Sequence, residues 1–287
     1  MPQMAESGES ESGGRSAILA QPWLTVITPV YKGESFIERC LRNVAEQECP
    51  GVEHLIIDGG SLDGTVSVIE RLAREVPRLR WVSERDLGQS DAMNRGVALA
   101  QGDVIGVLNV DDRYEPGTLN RVREVFEGSP EPTFAVGNCN VLDDSGRLLW
   151  VNRPRRPYFI DMLVRDSHAP NCPVNPSAYF YHRSLHDRIG WYDAADHLTM
   201  DVDFVLRAVQ QAHVVYIDET WGSFWLHSET KTAKDIRAGT AAAHFAAITS
   251  RFRSRLGLRD RVLVEARSAV TFLMKPATRL VRRLCFH

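Results

Sequence analysis

The chain has 287 residues, enough for one large domain or two small ones, and one mixed domain is expected. Its composition is ordinary for a globular protein, with 44% hydrophobic residues, 25% charged residues and a formal net charge of −3. This balance argues against nucleic acid or an acidic polymer as a partner. The five cysteines are widely spaced and form no CxxC pair, which predicts free thiols in a reducing cytoplasm rather than a zinc or redox site.

The first twenty residues are rich in Ser, Gly and Glu. They have no basic start followed by an apolar core, so they predict a disordered leader rather than a secretory signal. No stretch of the sequence approaches the roughly 20 apolar residues that a spanning helix requires. The sequence therefore predicts a cytoplasmic protein, with contact at the inner membrane face as an open option.

Residues 24–110 alternate short apolar runs with stretches of helical periodicity. The runs LTVITPVY, HLIID, LRWVSE and VIGVLN predict four strands. Strands that alternate with helices predict parallel βαβ units. Because these strands are apolar almost throughout, helices are expected on both faces of the sheet.

The pattern changes after residue 112, and the expected elements are more varied. We predict a helix over 116–126, a strand near FAVGN, a hairpin around 143–146, a Pro-rich connection over 154–176, a strand at SAYFYH, a helix opening near Met200, a short strand HVVYID and helices from about Lys234. A long connection of mixed composition often carries function, so acceptor recognition is expected in this part of the chain.

Polar residues follow each of the four apolar runs. The runs are followed by Thr28–Tyr31, Asp58–Ser61, Glu84–Asp86 and Asn109–Asp112. Ligands of open parallel sheets bind beyond the carboxyl ends of the strands, so carboxylates at three of the four ends indicate a metal or a ligand with hydrogen-bond donors. Plainer interpretations stay open. Residues 58–65 are compatible with a turn and a helix cap, and Asp111-Asp112 with a loop before a helix that starts at Pro116.

Four segments together resemble family 2 glycosyltransferases of the GT-A fold, in particular bacterial enzymes of exopolysaccharide and O-antigen assembly. They are LTVITPVYKGESFIERCLRNVAEQ, HLIIDGGSLDGT, ERDLGQSDAMNRGVALAQGDVIGVLNVDD and NPSAYFYHRSLHDRIGWYDAADHLTMDVDFVLRA. The resemblance covers about residues 24–230. It implies an α/β protein with a mostly parallel, Rossmann-like sheet flanked by helices. The expected organisation is a leader over 1–20, a GT-A domain over 21–232 with donor half 24–112 and acceptor half 113–232, and a basic helical C-terminal extension over 233–287.

The resemblance also implies a set of nucleotide-binding residues. They are Thr28, Pro29, Val30, Tyr31 and Asp58 at the base, Asp86, Gly88, Asp91, Ala92 and Asn94 along the ribose and sugar, and Asn109 and Val110. Gly59 stands where many members have a second Asp, so the nucleotide is less defined than the fold. A helix start capped by Ser90 is the structural alternative for the 86–96 segment.

The metal site implied by the resemblance centres on Asp111. Many members have Asp-x-Asp in this motif, and here the first position is Asn109. Asp112 is a weaker second ligand, while His227 is a candidate near the metal and Lys231 a weaker candidate near the diphosphate. Mn²⁺ or Mg²⁺ suits such an oxygen-rich site, because these ions bridge carboxylates and phosphate oxygens.

The general base implied by the resemblance is Asp201, in a segment similar to the family's Glu-Asp-x-Asp motif. Met200 replaces the Glu, and Asp203 faces another side of the predicted helix, where structure or acceptor contacts are expected. A plainer interpretation is an acidic first turn that complements the helix dipole.

Residues 251–287 contain ten Lys or Arg against Asp260 and Glu265. From Val262 onward apolar and basic residues interleave, which predicts an amphipathic helix broken near Pro276. Such a helix suits an anionic membrane surface. Packing on the body and dimerisation are the alternatives.

The prediction is therefore a metal-dependent inverting glycosyltransferase that uses a nucleotide sugar, with UDP as the favoured nucleotide, and a glycan, lipid-linked or small-molecule acceptor. A sugar nucleotidyltransferase is a second possibility, although residues 29–33 make a poor triphosphate loop. A dinucleotide-dependent oxidoreductase is disfavoured because no GxGxxG follows the first strand. A binding protein without turnover is the non-enzyme alternative, suggested by Gly59, Asn109 and Met200.

Overall fold

The computed structural model describes residues 21–155, 157–164 and 171–285, with side chains as far as Thr271. The predicted leader lies outside the described residues. Within them, nine strands form one sheet, in the order β3-β2-β1-β4-β8-β6-β9-β5, with β7 paired to β6. The strands are β1 Leu24–Val30, β2 Val52–Asp58, β3 Leu79–Ser83, β4 Val104–Val107, β5 Arg113–Tyr114, β6 Thr133–Leu142, β7 Leu148–Asn152, β8 Tyr179–His182 and β9 His213–Trp225.

The described helices lie between and after these strands. They are α1 Ile37–Ala45, α2 Thr65–Leu72, α3 Gln89–Leu99, α4 Thr118–Glu127, α5 Phe159–Met162, α6 Leu185–Ile189, α7 Met200–Gln211, α8 Lys231–Ala238, α9 Ala241–Arg253 and α10 Leu258–Cys285. In the described part of the chain, none of the helices is both long enough and apolar enough to cross a membrane.

The four strands predicted for residues 24–110 are present and parallel. Strand β1 pairs with β2 and β4, and β2 pairs with β3. Their registers align Val30 with Asp58 and Asp58 with Ser83, so the chain leaves these strands at one edge of the sheet. Beyond β4 the sheet is mixed, because β8 runs antiparallel to both β4 and β6 while β9 runs parallel to β6.

Apolar side chains fill both faces of the sheet, as its nearly continuous apolar strands predict. On one face Ile27 and Ile57 pack with residues of α3 and α7. On the other face Val30 and Ile56 pack with residues of α1 and α2. Alternate residues of one strand therefore enter different cores, and the helices on both faces hold the strand ends in fixed positions.

Three expectations about the second half differ from the structure. Strand β9 is longer than predicted and includes 221–225, because it pairs with β6 and β5 along this stretch. Helix α4 starts at Thr118 rather than at residue 116, because Gly117 has a positive φ of 77°, which is not a right-handed helical conformation. Helix α10 is continuous through Pro276, so the predicted break is wrong. A proline removes one helical hydrogen bond but does not by itself end the backbone helix here.

Helix α3 lies directly against β1 because Gly96 has no side chain. A β-carbon at Gly96 would overlap Cγ2 of the fully buried Ile27. We expect Gly96→Ala to lower the free energy of unfolding by roughly 1–2 kcal/mol, since overpacking outweighs the gain of about 1 kcal/mol in helix propensity. Urea unfolding followed by circular dichroism measures this change.

Gly128→Ala is the matched control. A β-carbon there meets nothing within 4 Å, and its φ of −103° suits alanine. Its stability should stay within about 0.5 kcal/mol of the wild type. Equal unfolding midpoints for the two variants would show that α3 does not need the contact at Gly96.

Candidate functional site

The candidate site lies where β1, β2 and β4 end, at the edge beyond which ligands of parallel sheets bind. The first turn of α3 and the segment between β9 and α8 also reach this edge. Lys231 Nζ donates to Gln89 Oε1 at 3.2 Å, and Gln89 Nε2 donates to Asn109 Oδ1 at 2.9 Å. Three distant parts of the sequence thus meet through side-chain hydrogen bonds.

Asp111 and His227, which are 116 positions apart in the sequence, form a direct pair. His227 Nε2 lies 3.0 Å from Asp111 Oδ2, and the two side chains are 16% and 22% exposed. The imidazole stacks on Phe36, with ring centroids 5.3 Å apart. Arg39 donates to the Asp111 carbonyl at 3.0 Å, and its guanidinium lies 4.1 Å from the centroid of the Trp225 ring. The two residues predicted near the metal are therefore brought together and remain open to solvent.

Asp112 is buried, with 1% of its surface exposed. Its carboxylate accepts hydrogen bonds from Asn175 Nδ2 at 2.7 Å, Asn109 Nδ2 at 2.9 Å and the Trp225 amide at 3.1 Å. Burial raises the pKa of this carboxyl, and the neighbouring Asp111 charge raises it further. The structure does not support Asp112 as a second metal ligand, because both oxygens are enclosed and occupied by donors from the protein.

The amide of Asn109 explains why the motif begins with Asn rather than Asp. Its Oδ1 accepts from Gln89, and its Nδ2 donates to Asp112. A carboxylate at this position has no proton to donate at neutral pH and would face the buried Asp112 carboxylate. Asn109 therefore keeps the network satisfied, while Asp111 alone presents its charge outward.

Asp58 is fully buried, and its carboxylate is already saturated. It accepts from the amides of Gly60 and Ser61 at 3.1 and 3.0 Å and from the hydroxyls of Ser61 and Ser83 at 2.5 and 2.6 Å. The expected contact between Asp58 and the nucleotide base is not supported, because no carboxylate oxygen faces the solvent. Asp58 instead fixes the turn after β2, which was the plainer interpretation of the 58–65 segment.

The first strand end is also mostly enclosed. Thr28 is buried and its hydroxyl lies 2.9 Å from His54 Nε2, so its side chain is not placed to contact a base. Pro29 and Val30 are buried as well. Of the four residues assigned to this end, Tyr31 alone has an exposed side chain, at 60%. Any stacking on a base at this position falls to Tyr31.

Asp86 occupies the space beside Gly59. A β-carbon at Gly59 would lie 2.8 Å from Asp86 Oδ2, so a side chain at position 59 would require the Asp86 carboxylate to shift. Asp86 Oδ1 accepts from the Gly88 amide at 2.9 Å, and Asp91 accepts from the Leu87 amide at 3.1 Å. The two carboxylates therefore shape the turn into α3, and Asp86 remains partly exposed.

Two residues predicted to contact the donor make contacts within the protein. Ala92 lies in the core, with 2% exposed. Asn94 exchanges two hydrogen bonds of 2.9 Å with the backbone of Tyr192. The expected donor contacts of Ala92 and Asn94 are therefore not supported, and their side chains join α3 to the segment before α7.

Asp201 lies in the first turn of α7, and the segment just before α7 packs against the start of α3. Ser90 Oγ donates to the Asp196 carbonyl at 2.9 Å, and a β-carbon at Gly88 would lie 3.3 Å from His197 Nδ1. Asp201 keeps a partly exposed surface. Desolvation raises the pKa of Asp201 to about 6, and the charge of Asp196 acts in the same direction. This carboxylate is thus poised to bind a proton near neutrality.

Asp203, two residues later, faces the body of the protein. It is 4% exposed and forms ion pairs with Arg207, at 2.7 Å, and with Arg251 of α9. This burial fits a structural role for Asp203 rather than contact with the acceptor. Met200 is also buried, in the core shared with α3, so an apolar residue suits this position.

Sequence reasoning missed several residues that build the site. The side chains of Gln89 and Arg39 contact residues 109–112. Asn175, which directly precedes the turn Pro176–Ala178, donates to Asp112 in the same segment. Gln89 lies between two residues that were selected, so its position at the start of a predicted helix was an available signal. Arg39 and Asn175 are distant in sequence, and no local pattern marks them.

The residues present fit a divalent cation of the Mg²⁺ or Mn²⁺ type. Asp111 and His227 offer an oxygen and a nitrogen from neighbouring side chains. Among the described residues there is no group of three or more His, Cys, Asp or Glu side chains arranged to hold a metal. A two-ligand site suits ions that keep several waters and also bind substrate phosphates.

Residues 25–190 match the family model described as Glycosyl transferase family 2. The chain belongs to glycosyl transferase family 2. An uncharacterized glycosyltransferase of Mycobacterium tuberculosis H37Rv is 33% identical over 191 residues, which cover 65% of this chain and 69% of the relative. A PGL/p-HBAD biosynthesis glycosyltransferase of Mycobacterium bovis BCG is 32% identical over 199 residues, which cover 69% and 73%. The family 2 protein is thus a glycosyltransferase, and neither the nucleotidyltransferase nor the oxidoreductase alternative fits.

Solved structures confirm the GT-A fold of this family 2 chain. S. aureus TarS 1-349 in complex with UDP gives a TM-score of 0.56 at 15% identity, covering 83% of this chain and 76% of TarS 1-349. The mannosyltransferase PcManGT from Pyrobaculum calidifontis, in complex with GDP-Man and Mn²⁺, gives 0.56 at 18% identity, covering 88% and 81%. This chain spans less than half of the longer TarS chain, 46% of its length.

The two aspartates of the metal motif should respond differently to the same substitution. Asp112→Asn replaces an acceptor oxygen by an NH₂ group that faces N–H donors, and we expect a loss of about 1–3 kcal/mol in the free energy of unfolding. Asp111→Asn alters a partly exposed group and should change stability by less than about 0.5 kcal/mol. Urea unfolding midpoints compare the two variants. A larger loss for Asp111→Asn would contradict this assignment.

Proposed function

We propose that this glycosyltransferase moves a sugar from a nucleotide-sugar donor to an acceptor hydroxyl in a single inverting displacement, with Asp201 as general base. The observation that carries the proposal is the position of Asp201. It lies in the first turn of α7, just after the segment that contacts the start of α3, it is partly exposed, and desolvation raises its pKa to about 6. A base with a pKa near the working pH is effective in proton transfer.

In the proposed reaction Asp201 accepts the proton of the acceptor hydroxyl as its oxygen bonds to the anomeric carbon. The bond from that carbon to the diphosphate oxygen breaks, and the nucleoside diphosphate leaves from the opposite face. One base and one stabilised leaving group are sufficient for such a displacement, which inverts the anomeric configuration. Asp203 cannot replace Asp201, because both of its oxygens face arginines.

In the proposed reaction Asp111, His227 and Lys231 stabilise the leaving diphosphate. Asp111 and His227 would hold Mn²⁺ or Mg²⁺, which would neutralise charge on the departing diphosphate. Lys231 adds a positively charged ammonium group at the same edge of the sheet. Desolvation lowers its pKa, and the opposing charge of Asp86 acts in the other direction. A diphosphate that approaches this edge meets an ammonium group already held by Gln89.

For the donor we favour a UDP-sugar. TarS is known in complexes with UDP and UDP-GlcNAc, whereas PcManGT is known with GDP-Man, so the fold accommodates more than one nucleotide. Tyr31 offers an exposed ring for the base, and the partly exposed carboxylate of Asp86 offers an acceptor for ribose or base donors. For the acceptor we propose a glycan, lipid-linked or small-molecule hydroxyl compound, used in glycoconjugate assembly in the cytoplasm.

The pH dependence of transfer should report Asp201. Because the active form of a base is deprotonated, kcat/KM is expected to rise from pH 5, to reach half of its maximum at about pH 6, the pKa of this carboxyl, and to level off about one pH unit higher. Asp201→Asn should lower kcat by at least about 100-fold. Nucleotide binding by this variant should be retained. Radiolabelled sugar transfer measures the rate, and titration calorimetry with UDP and Mn²⁺ measures nucleotide binding.

The stability of the same variant provides a control. The folded-state pKa of Asp201 lies above its ordinary value of 3.8, so the carboxyl opposes folding once pH rises from about 4 through 6. Asp201→Asn should therefore be at least as stable as the wild type at pH 7. Loss of transfer with unchanged stability assigns a chemical role, whereas full transfer activity would remove Asp201 as the base.

Donor and metal should stabilise the protein together. We expect UDP-sugars with Mn²⁺ to raise the melting temperature more than GDP- or dTDP-sugars at equal concentration, because bound ligand stabilises by mass action. Asp111→Asn and His227→Gln should each reduce the Mn²⁺-dependent part of the shift. Differential scanning fluorimetry with and without Mn²⁺ tests this, and equal shifts in the wild type and both variants would exclude the proposed metal site.

A further inference from the structure

Helix α10 contacts the body of the protein through a narrow seam. Val264 and Ser268 are buried, with 1% and 8% exposed, and Arg267 forms an ion pair with Asp161 of α5. Most other described positions of the helix are exposed. The side chains of α10 are described over 258–271, about 21 Å of helix, and within this stretch the seam occupies one side.

The side of α10 opposite the seam is apolar. Its exposed hydrophobic residues are Leu258 at 79%, Val262 at 60%, Leu263 at 38% and Val270 at 56%. At about 100° per residue these four positions fall within one sector of about 140°, and Val264 and Ser268 fall on the opposite side of the helix axis. We call Leu258, Val262, Leu263 and Val270 the outer sector.

By sequence α10 belongs to a cationic segment, because residues 258–287 contain seven Lys or Arg against Asp260 and Glu265. Of its exposed charged residues, Arg261 falls at about 300° and Glu265 at about 340° from Leu258, both outside the sector. Arg259 falls at about 100° from Leu258, within the sector itself. Exposed apolar side chains beside arginines are the arrangement by which a helix binds an anionic bilayer surface.

We propose that α10 binds the surface of an anionic phospholipid bilayer through the outer sector, with the helix lying along the interface. A second copy of the chain is the other candidate occupant. The charges disfavour it, because two cationic helix surfaces would be brought face to face, whereas lipid phosphates neutralise them. The seam stays on the body while the outer sector enters the bilayer. This proposal depends on the surface of the helix and not on the chemistry at Asp201.

Vesicle co-sedimentation of the full chain tests the proposal. We expect binding to vesicles of phosphatidylcholine with phosphatidylglycerol to be at least about tenfold stronger than to phosphatidylcholine alone, and to fall at high salt. Val262→Asp combined with Val270→Asp should weaken binding by at least about tenfold, because two apolar anchors are lost and two negative charges are added.

Leu148→Asp combined with Leu149→Asp is the matched control. These leucines of β7 are also exposed, at 51% and 42%, and the same number of charges is added. This variant should bind vesicles like the wild type, and thermal melting shows whether each variant is folded. Equal binding by the outer-sector variant and this control would overturn the proposal. So would a wild-type dimer, seen by sedimentation velocity, that is lost only in the outer-sector variant.

Discussion

The buried carboxylate of Asp112 joins three separate parts of the chain at the ligand edge of the sheet. It receives hydrogen bonds from Asn109 after β4, from Asn175 before β8 and from the Trp225 amide at the end of β9. An enclosed carboxylate is costly unless each of its oxygens is satisfied, so these partners are held in fixed positions. The consequence is that Asp111, one residue earlier, points outward to meet His227.

Asn109 extends this constraint toward the donor. Through Gln89 it connects the Asp112 network to the first turn of α3 and to Lys231 of α8. The start of α3 in turn contacts the segment that leads into Asp201. The metal motif, the donor segment and the proposed base thus share one packed arrangement. A change in the buried part of this arrangement acts on residues that have no contact with substrate.

The sequence predicted much of the donor half correctly because its signals are local. Apolar runs and helical periodicity fixed the four parallel strands and the helices on both faces. Strand-end carboxylates directed attention to the edge of the sheet where Asp111 and His227 meet. The same reasoning could not separate an exposed aspartate from a buried one, so Asp58 and Asp112 were given ligand roles that their hydrogen bonds do not support. No local pattern marked Arg39 or Asn175. The predicted β9 was shorter than the observed strand, because the pairing of β9 with β6 is a long-range contact.

The sequence by itself determined the family, the four parallel strands of residues 24–110 and the basic character of the C-terminal segment. Each of these features follows from the spacing or the charge of residues that are close together in the sequence. The tertiary structure decided which oxygen atoms are free, which histidine lies beside Asp111, which hydrogen bonds the Asn109 amide makes, and which side of the described part of α10 is exposed. These depend on burial and on contacts between residues up to 116 positions apart, which no local pattern contains.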